Sequence, residues 1–113
     1  MIRIMQSACF VSAVFAFALI LSGCSPKESE LRGQELFDLH CAVCHMGPTP
    51  DLKKRPPRLE KLFALKQLPS GAPATDTQVR KTIIEGLRTM PAFDKRLSDQ
   101  GLDDLVAYLH TLK

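Results

Sequence analysis

No stretch of this chain alternates apolar and polar residues in the way a half-buried strand requires, so neither an all-β nor a βαβ framework is expected. There is no internal repeat, as a solenoid would show, and no low-complexity tract. No strong charge of one sign is present either. Fifteen Lys and Arg stand against twelve Asp and Glu, a formal +3 over 113 residues. That weak balance argues neither for nor against nucleic acid, and no nucleic-acid motif accompanies it. Cysteine is scarce and fully spoken for, as shown below. The sequence also lacks an apolar run long enough to cross a bilayer, which takes about 20 residues. Its longest is Ala8 to Leu21, fourteen residues interrupted only by Ser12.

That run follows Arg3 and has the length of a signal-peptide core. It ends in Leu21-Ser22-Gly23-Cys24, which resembles a bacterial lipobox, where small residues precede a cysteine that takes a diacylglycerol thioether before cleavage. The expected organisation is a lipoprotein signal peptide over 1–23, a polar tether over 24–29 and one domain over 30–113. The product would be anchored to a bacterial membrane on its extracytoplasmic side rather than spanning it. Uncleaved insertion or ordinary cleavage nearby are the alternatives.

The mature part holds Cys24, Cys41 and Cys44, while Cys9 leaves with the signal. Cys41-Ala42-Val43-Cys44-His45 reads as an attachment site for c-type haem. Two sulfurs three residues apart share one face of a helical turn and can attack the two vinyl groups of one porphyrin. His45 then sits beside them as the proximal iron ligand. With Cys24 lipidated, no thiol is left for a disulfide, although export reaches an oxidising compartment. A zinc site needs four ligands and a thioredoxin-like dithiol needs a βαβ unit, and neither requirement is met well here.

Helical patterns surround this motif. A first helix is expected over 30–41, capped by Ser29, with Gly33, Phe37, His40 and Cys44 on one stripe. A short helix is expected within 59–68, another from Asp76 to Glu85 stopped by Gly86, and a last one from Asp99 to Leu112 capped by Ser98. Tyr108, the only tyrosine, should pack on the first helix near Gly33 and Phe37. Six of the eight prolines lie in or beside 47–58 and 69–74, which makes those segments loops. The fold class is all-α, with three to five helices around one covalent haem.

An electron carrier needs a sixth iron ligand that stays in place in both oxidation states. Thioether sulfur is soft and neutral and raises the potential when paired with His. Met46 follows His45 directly and cannot reach the far side of the ring. Met90 lies 45 residues on, and Pro91 keeps it out of helical geometry. His40 and His110 are weaker rivals for the same position.

From about Glu30 onward the chain resembles the small class I monohaem cytochromes c. The ordered matches are Gly33-x-x-x-Phe37, Cys41-x-x-Cys44-His45, Pro57-x-Leu59, Gly86-x-x-x-Met90-Pro91 and Leu105-x-x-Tyr108-Leu109. The resemblance implies that Pro57 offers its carbonyl to the ring N–H of His45 and that Leu59 packs on the haem, with Pro56 as the alternative register. It departs where Met46 intervenes before Gly47, and in the loop 47–58 with its basic run Lys53-Lys54-Arg55. That run, with Arg58, Lys61 and Lys66, fits an acidic redox partner or anionic lipid, or is simply a solvated loop. Arg58, Arg80 and Arg88 are candidates for the haem propionates, or plain surface charge.

The expected function is one-electron transfer without substrate chemistry, exchanged with an oxidase, a reductase or another cytochrome. Two readings remain beside it: an electron-entry subunit of a larger membrane complex, and a haem enzyme or gas sensor with an open sixth site.

Overall fold

The structure, a computed structural model, describes residues 25–47 and 55–113. Cys24, the signal sequence, Lys53 and Lys54 lie outside the described residues. Among the described residues four α-helices follow in order: α1 Pro26–His40, α2 Ala42–His45, α3 Asp76–Glu85 and α4 Asp99–Leu109. A 3-10 turn, Leu62–Ala64, sits between α2 and α3. The only β pairing among the described residues is two isolated bridges, Gln67 with Pro73 and Leu87 with Met90. The all-α expectation therefore holds.

Helix α1 begins four residues earlier than its pattern suggests. Ser25 is the N-cap and Pro26 the first helical residue. Proline suits that place because its φ is preset and its missing N–H would have no helical partner anyway. Residues 26–29 are thus helical, not an extended tether, and Ser29 is no cap. Its hydroxyl instead donates to Asp104 at 2.6 Å. The helix ends one residue short of expectation, with Cys41 as a C-cap whose N–H reaches the Phe37 carbonyl.

The crossing of α1 and α4 organises the domain. A Cβ on Gly33 would stand 1.9 Å from the Asp104 carbonyl oxygen and 2.8 Å from the Tyr108 Cβ. Glycine is what lets the two backbones touch. One turn on, Phe37 is fully buried, and its ring meets Tyr108 at 5.3 Å and 55°, a tilted pairing that aromatic quadrupoles favour. The expected packing of Tyr108 on Gly33 and Phe37 is therefore present. Leu102, Leu105, Val106 and Leu109 of α4 join Val79 and Ile83 of α3, Leu62, Leu68 and Phe93 in one core.

The remaining elements are set by local chemistry. Thr75 caps α3 by accepting from the Gln78 N–H, and Ser98 caps α4 by accepting from the Gly101 N–H at 3.0 Å. Helix α4 stops at Leu109 rather than Leu112, where His110 turns the chain and the Thr111 N–H goes to the Tyr108 carbonyl. The short helix expected within 59–68 shrinks to the 3-10 turn. Lys61 adopts a left-handed φ of 56° before it and Leu65 is extended after it, so no full α-helical turn can propagate. The Lys61 N–H is spent on the Leu112 carbonyl at 3.0 Å, tying this segment to the end of α4.

Asp104 is the one buried charged residue of the described chain, 2% exposed. It accepts from Ser29, from Arg32 Nε at 2.7 Å and Nη2 at 3.2 Å, and from Gln100 at 3.0 Å. Hydrogen bonds from Arg32, then Ser29 and Gln100, outweigh burial and hold its carboxyl down at about 2. A carboxylate depressed from its unfolded value favours the folded state above that value, and the benefit is lost as pH falls through about 2.

Two outcomes test this packing. Gly33→Ala should cost about 3 kcal/mol, because a backbone carbonyl cannot yield as a side chain would; chemical denaturation of the holoprotein measures it. Asp104→Asn should cost about 2 kcal/mol near neutral pH, and its deficit should shrink steadily between about pH 4 and pH 2. A deficit independent of pH across that window would remove the charge from the explanation.

Candidate haem site

The attachment motif is built by the end of α1 and by α2. Cys41 breaks the helix at φ −114°, and the chain re-enters helical geometry at once, with Cys44 and His45 both donating backbone N–H to the Cys41 carbonyl at 3.1 and 2.9 Å. This tight turn keeps the two cysteines and the histidine together. Both thiols are free and half-buried. Burial, and secondarily the neighbouring Cys44, push the Cys41 thiol up to about 11. Among the described residues no three His, Cys, Asp or Glu side chains converge as a metal cage would need.

The His45 ring is oriented from outside its own helix. Its Nδ1 lies 2.7 Å from the Pro57 carbonyl oxygen, so the ring N–H donates there. This decides the register between Pro56 and Pro57. It also fixes the tautomer: with Nδ1 protonated, Nε2 carries the lone pair and is left to bind a metal. Partners of this kind are how proteins aim a metal-binding imidazole. Leu59, two residues on, is half-buried against the core.

Met90 lies in a loop closed on itself. Leu87 and Met90 exchange both backbone hydrogen bonds, at 3.1 and 2.9 Å, around Arg88 with a left-handed φ of 55°. Gly86 has φ 75°, and a Cβ there would stand 2.6 Å from the Met90 carbonyl oxygen. The expectation of a non-helical Met90 ahead of Pro91 is met, with its side chain half-buried against the core. The rival imidazoles are otherwise engaged. His110 stacks on Phe63 at 3.7 Å, and its Nε2 is 2.7 Å from Asp76. His40 meets the Phe93 ring edge-on at 5.9 Å.

Among the propionate candidates, Arg58 pairs with Glu60 and Arg80 with Asp103, while Arg88 is exposed at the tip of the Met90 turn. Two residues that shape the site were not singled out from sequence. Phe93 was missed because a single aromatic in an irregular loop has no periodicity to announce it. Asp104 was missed because a carboxylate on α4 reads as solvated unless its donors, 72 and 75 residues away, are known.

Two thiols on one turn, an imidazole with its Nε2 free and a thioether in a rigid loop suit a covalently held haem. Residues 28–109 match the protein-family model described as cytochrome c oxidase, cbb3-type, subunit III. This chain belongs to the cytochrome c family. It is 27% identical over 96 residues to a cytochrome c6-like protein of Nostoc sp., covering 82% of each chain. It is 31% identical over 83 residues to a cytochrome bc1 complex cytochrome c subunit of Corynebacterium diphtheriae, covering 73% of this chain and 27% of that one. The solved cytochrome c6 of the diatom Phaeodactylum tricornutum shares its fold with a TM-score of 0.57 and 30% identity, over 73% of this chain and 91% of that one. As a cytochrome c, the chain carries one covalent haem c and serves as an electron carrier.

The attachment chemistry has a direct check. Acid–acetone extraction should leave haem on the wild type and on either single Cys→Ala variant that matures. It should strip all haem from Cys41→Ala/Cys44→Ala.

Proposed function

We propose that this cytochrome c is a one-electron carrier with His45 and Met90 as axial ligands, working on the extracytoplasmic side of a bacterial membrane through a lipid on Cys24. The observation that carries the His45 assignment is its hydrogen bond to Pro57, which leaves Nε2 as the atom for the metal; Met90 is supported by its place in the closed, non-helical turn beyond α3. Bound haem c supplies an iron that changes between ferrous and ferric. Cys41 and Cys44 hold the ring, with Leu59 packed on it. The Pro57 carbonyl keeps the imidazole from rotating and makes it a better donor. Met90 contributes a neutral sulfur that serves both oxidation states, so little rearrangement accompanies the electron.

A filled sixth position also argues against enzymatic chemistry, because no site is left for a substrate. The partners are then redox proteins alone, such as an oxidase, a reductase or another cytochrome. The anchor reading has a structural corollary. Helix α1 starts at Pro26, so a lipid on Cys24 is separated from a helix of fifteen residues by Ser25 alone. Such a helix is about 22 Å long at 1.5 Å per residue. The haem motif at its far end would stay close to the bilayer, which favours membrane-bound partners. Among the described residues no helix is long and apolar enough to cross a membrane.

Carbon monoxide distinguishes a filled sixth site from an open one. Ferrous wild type should bind it slowly and weakly, and Met90→Ala should bind it at least about tenfold more tightly, since the gas no longer competes with the thioether. Rapid, tight binding that is the same in both proteins would favour the gas-sensor or enzyme reading. Intact mass of protein purified from membranes reports the Cys24 lipid in the same preparation.

A further inference from the structure

We propose that Phe93 is a positioning residue for the Met90 thioether: it latches the loop carrying Met90 to the end of α1 that carries the haem cysteines. This rests on the ligation reading above, and the test separates the two.

Between Ile83 and Leu102, Phe93 is the one buried side chain, 4% exposed. It is the one fully buried anchor of those eighteen residues, with Ile84, Met90 and Leu97 packed only partly buried against the same core. Met90 itself is half-buried, and Arg88, Thr89, Pro91 and Ala92 around it are exposed. The backbone of this segment is pinned at the same point, where the Phe93 N–H donates to the Ile83 carbonyl at 3.0 Å. With the reciprocal Leu87–Met90 pair and the contact of Gly86 with residues 90–92, this makes 83–93 a closed ring of backbone. Its rigidity is internal. Beyond the end of α3, its most deeply buried tie to the rest of the molecule is the aromatic ring.

That ring points at the proximal half of the site. His40 meets it edge-on, with centroids 5.9 Å apart at 64°, and His40 immediately precedes Cys41. The Arg96 guanidinium carbon lies 5.6 Å from the ring centroid, adding a cation–π contact from the segment that follows. Phe93 thus joins two stretches of chain that share no backbone hydrogen bond. One holds the cysteines and the other holds the sixth ligand. Loosening this contact frees the closed loop to swing as a unit, and the thioether swings with it.

Imidazole added to the ferric holoprotein reads this motion, because it reaches the iron only while the thioether is off. Its apparent affinity therefore scales with the open fraction. Phe93→Leu keeps an apolar side chain but removes the ring contacts with His40 and Arg96. It should tighten imidazole binding about tenfold toward the limit set by Met90→Ala. It should also weaken the red charge-transfer band of ferric thioether ligation at temperatures where far-ultraviolet dichroism is unchanged. Phe93→Met runs beside it, so that poor folding of one variant does not decide the matter. Val106→Ala, which thins the core on α4, should lower the melting temperature and leave imidazole affinity as in wild type.

Wild-type affinity and an unchanged charge-transfer band in a folded Phe93 variant would overturn the proposal. So would a Val106→Ala effect as large as that of Phe93→Leu, since the ring would then matter only to overall stability. If Met90→Ala itself binds imidazole no better than wild type, the ligation reading is what has failed, and the latch falls with it.

Discussion

The close approach of α1 and α4 at Gly33 is the constraint on which the rest of this molecule depends. With the Asp104 carbonyl 1.9 Å from where a Cβ would be, no other residue fits without parting the helices. Their contact fixes the direction of α1, and the end of α1 presents the haem motif. Phe37 and Tyr108 extend the contact by one turn. The buried Asp104, gathering Ser29, Arg32 and Gln100, closes its other end. Burying a carboxylate is costly unless it is fully hydrogen-bonded, and here both oxygens are served from two helices. Apolar packing supplies the area of this joint, and the polar clasp supplies its register.

From that joint the site is assembled out of parts with little regular structure. His45 takes its orientation from the carbonyl of Pro57, twelve residues on in a proline-rich loop. Met90 takes its own from a closed turn beyond α3. Pro57 and the closed turn around Met90 thus aim the two groups proposed for the iron. A ligand set that does not move between oxidation states suits a carrier, because it adds little to the reorganisation accompanying each electron.

Much of this was legible in the sequence because the signals were local. The cysteine spacing, the Ser98 cap, the Gly86 stop and the helical patterns of α3 and α4 each act within a few residues. The resemblance to class I cytochromes c placed Pro57, and the structure puts its carbonyl on His45. What was misread depended on longer-range or competing effects. Ser29 looked like a cap because serine often is one, yet Pro26 made the better start and the hydroxyl went to Asp104. The apolar residues within 59–68 suggested a helix, but Lys61 and Leu65 take up non-helical geometry on either side of one 3-10 turn. Phe93 and Asp104 could not be read at all, since their roles consist of contacts made across the fold.

The central claim is that residue 90 supplies sulfur to the iron opposite His45. Proton magnetic resonance of the reduced holoprotein, with methionine methyl groups isotopically labelled, tests it most directly. A methyl group held over the face of a diamagnetic haem is shifted far upfield by the ring current. The account predicts one such resonance, assigned to Met90 by its loss in Met90→Leu, while Met46 keeps an ordinary shift. Ordinary shifts for both methionines in a folded, reduced protein would contradict it.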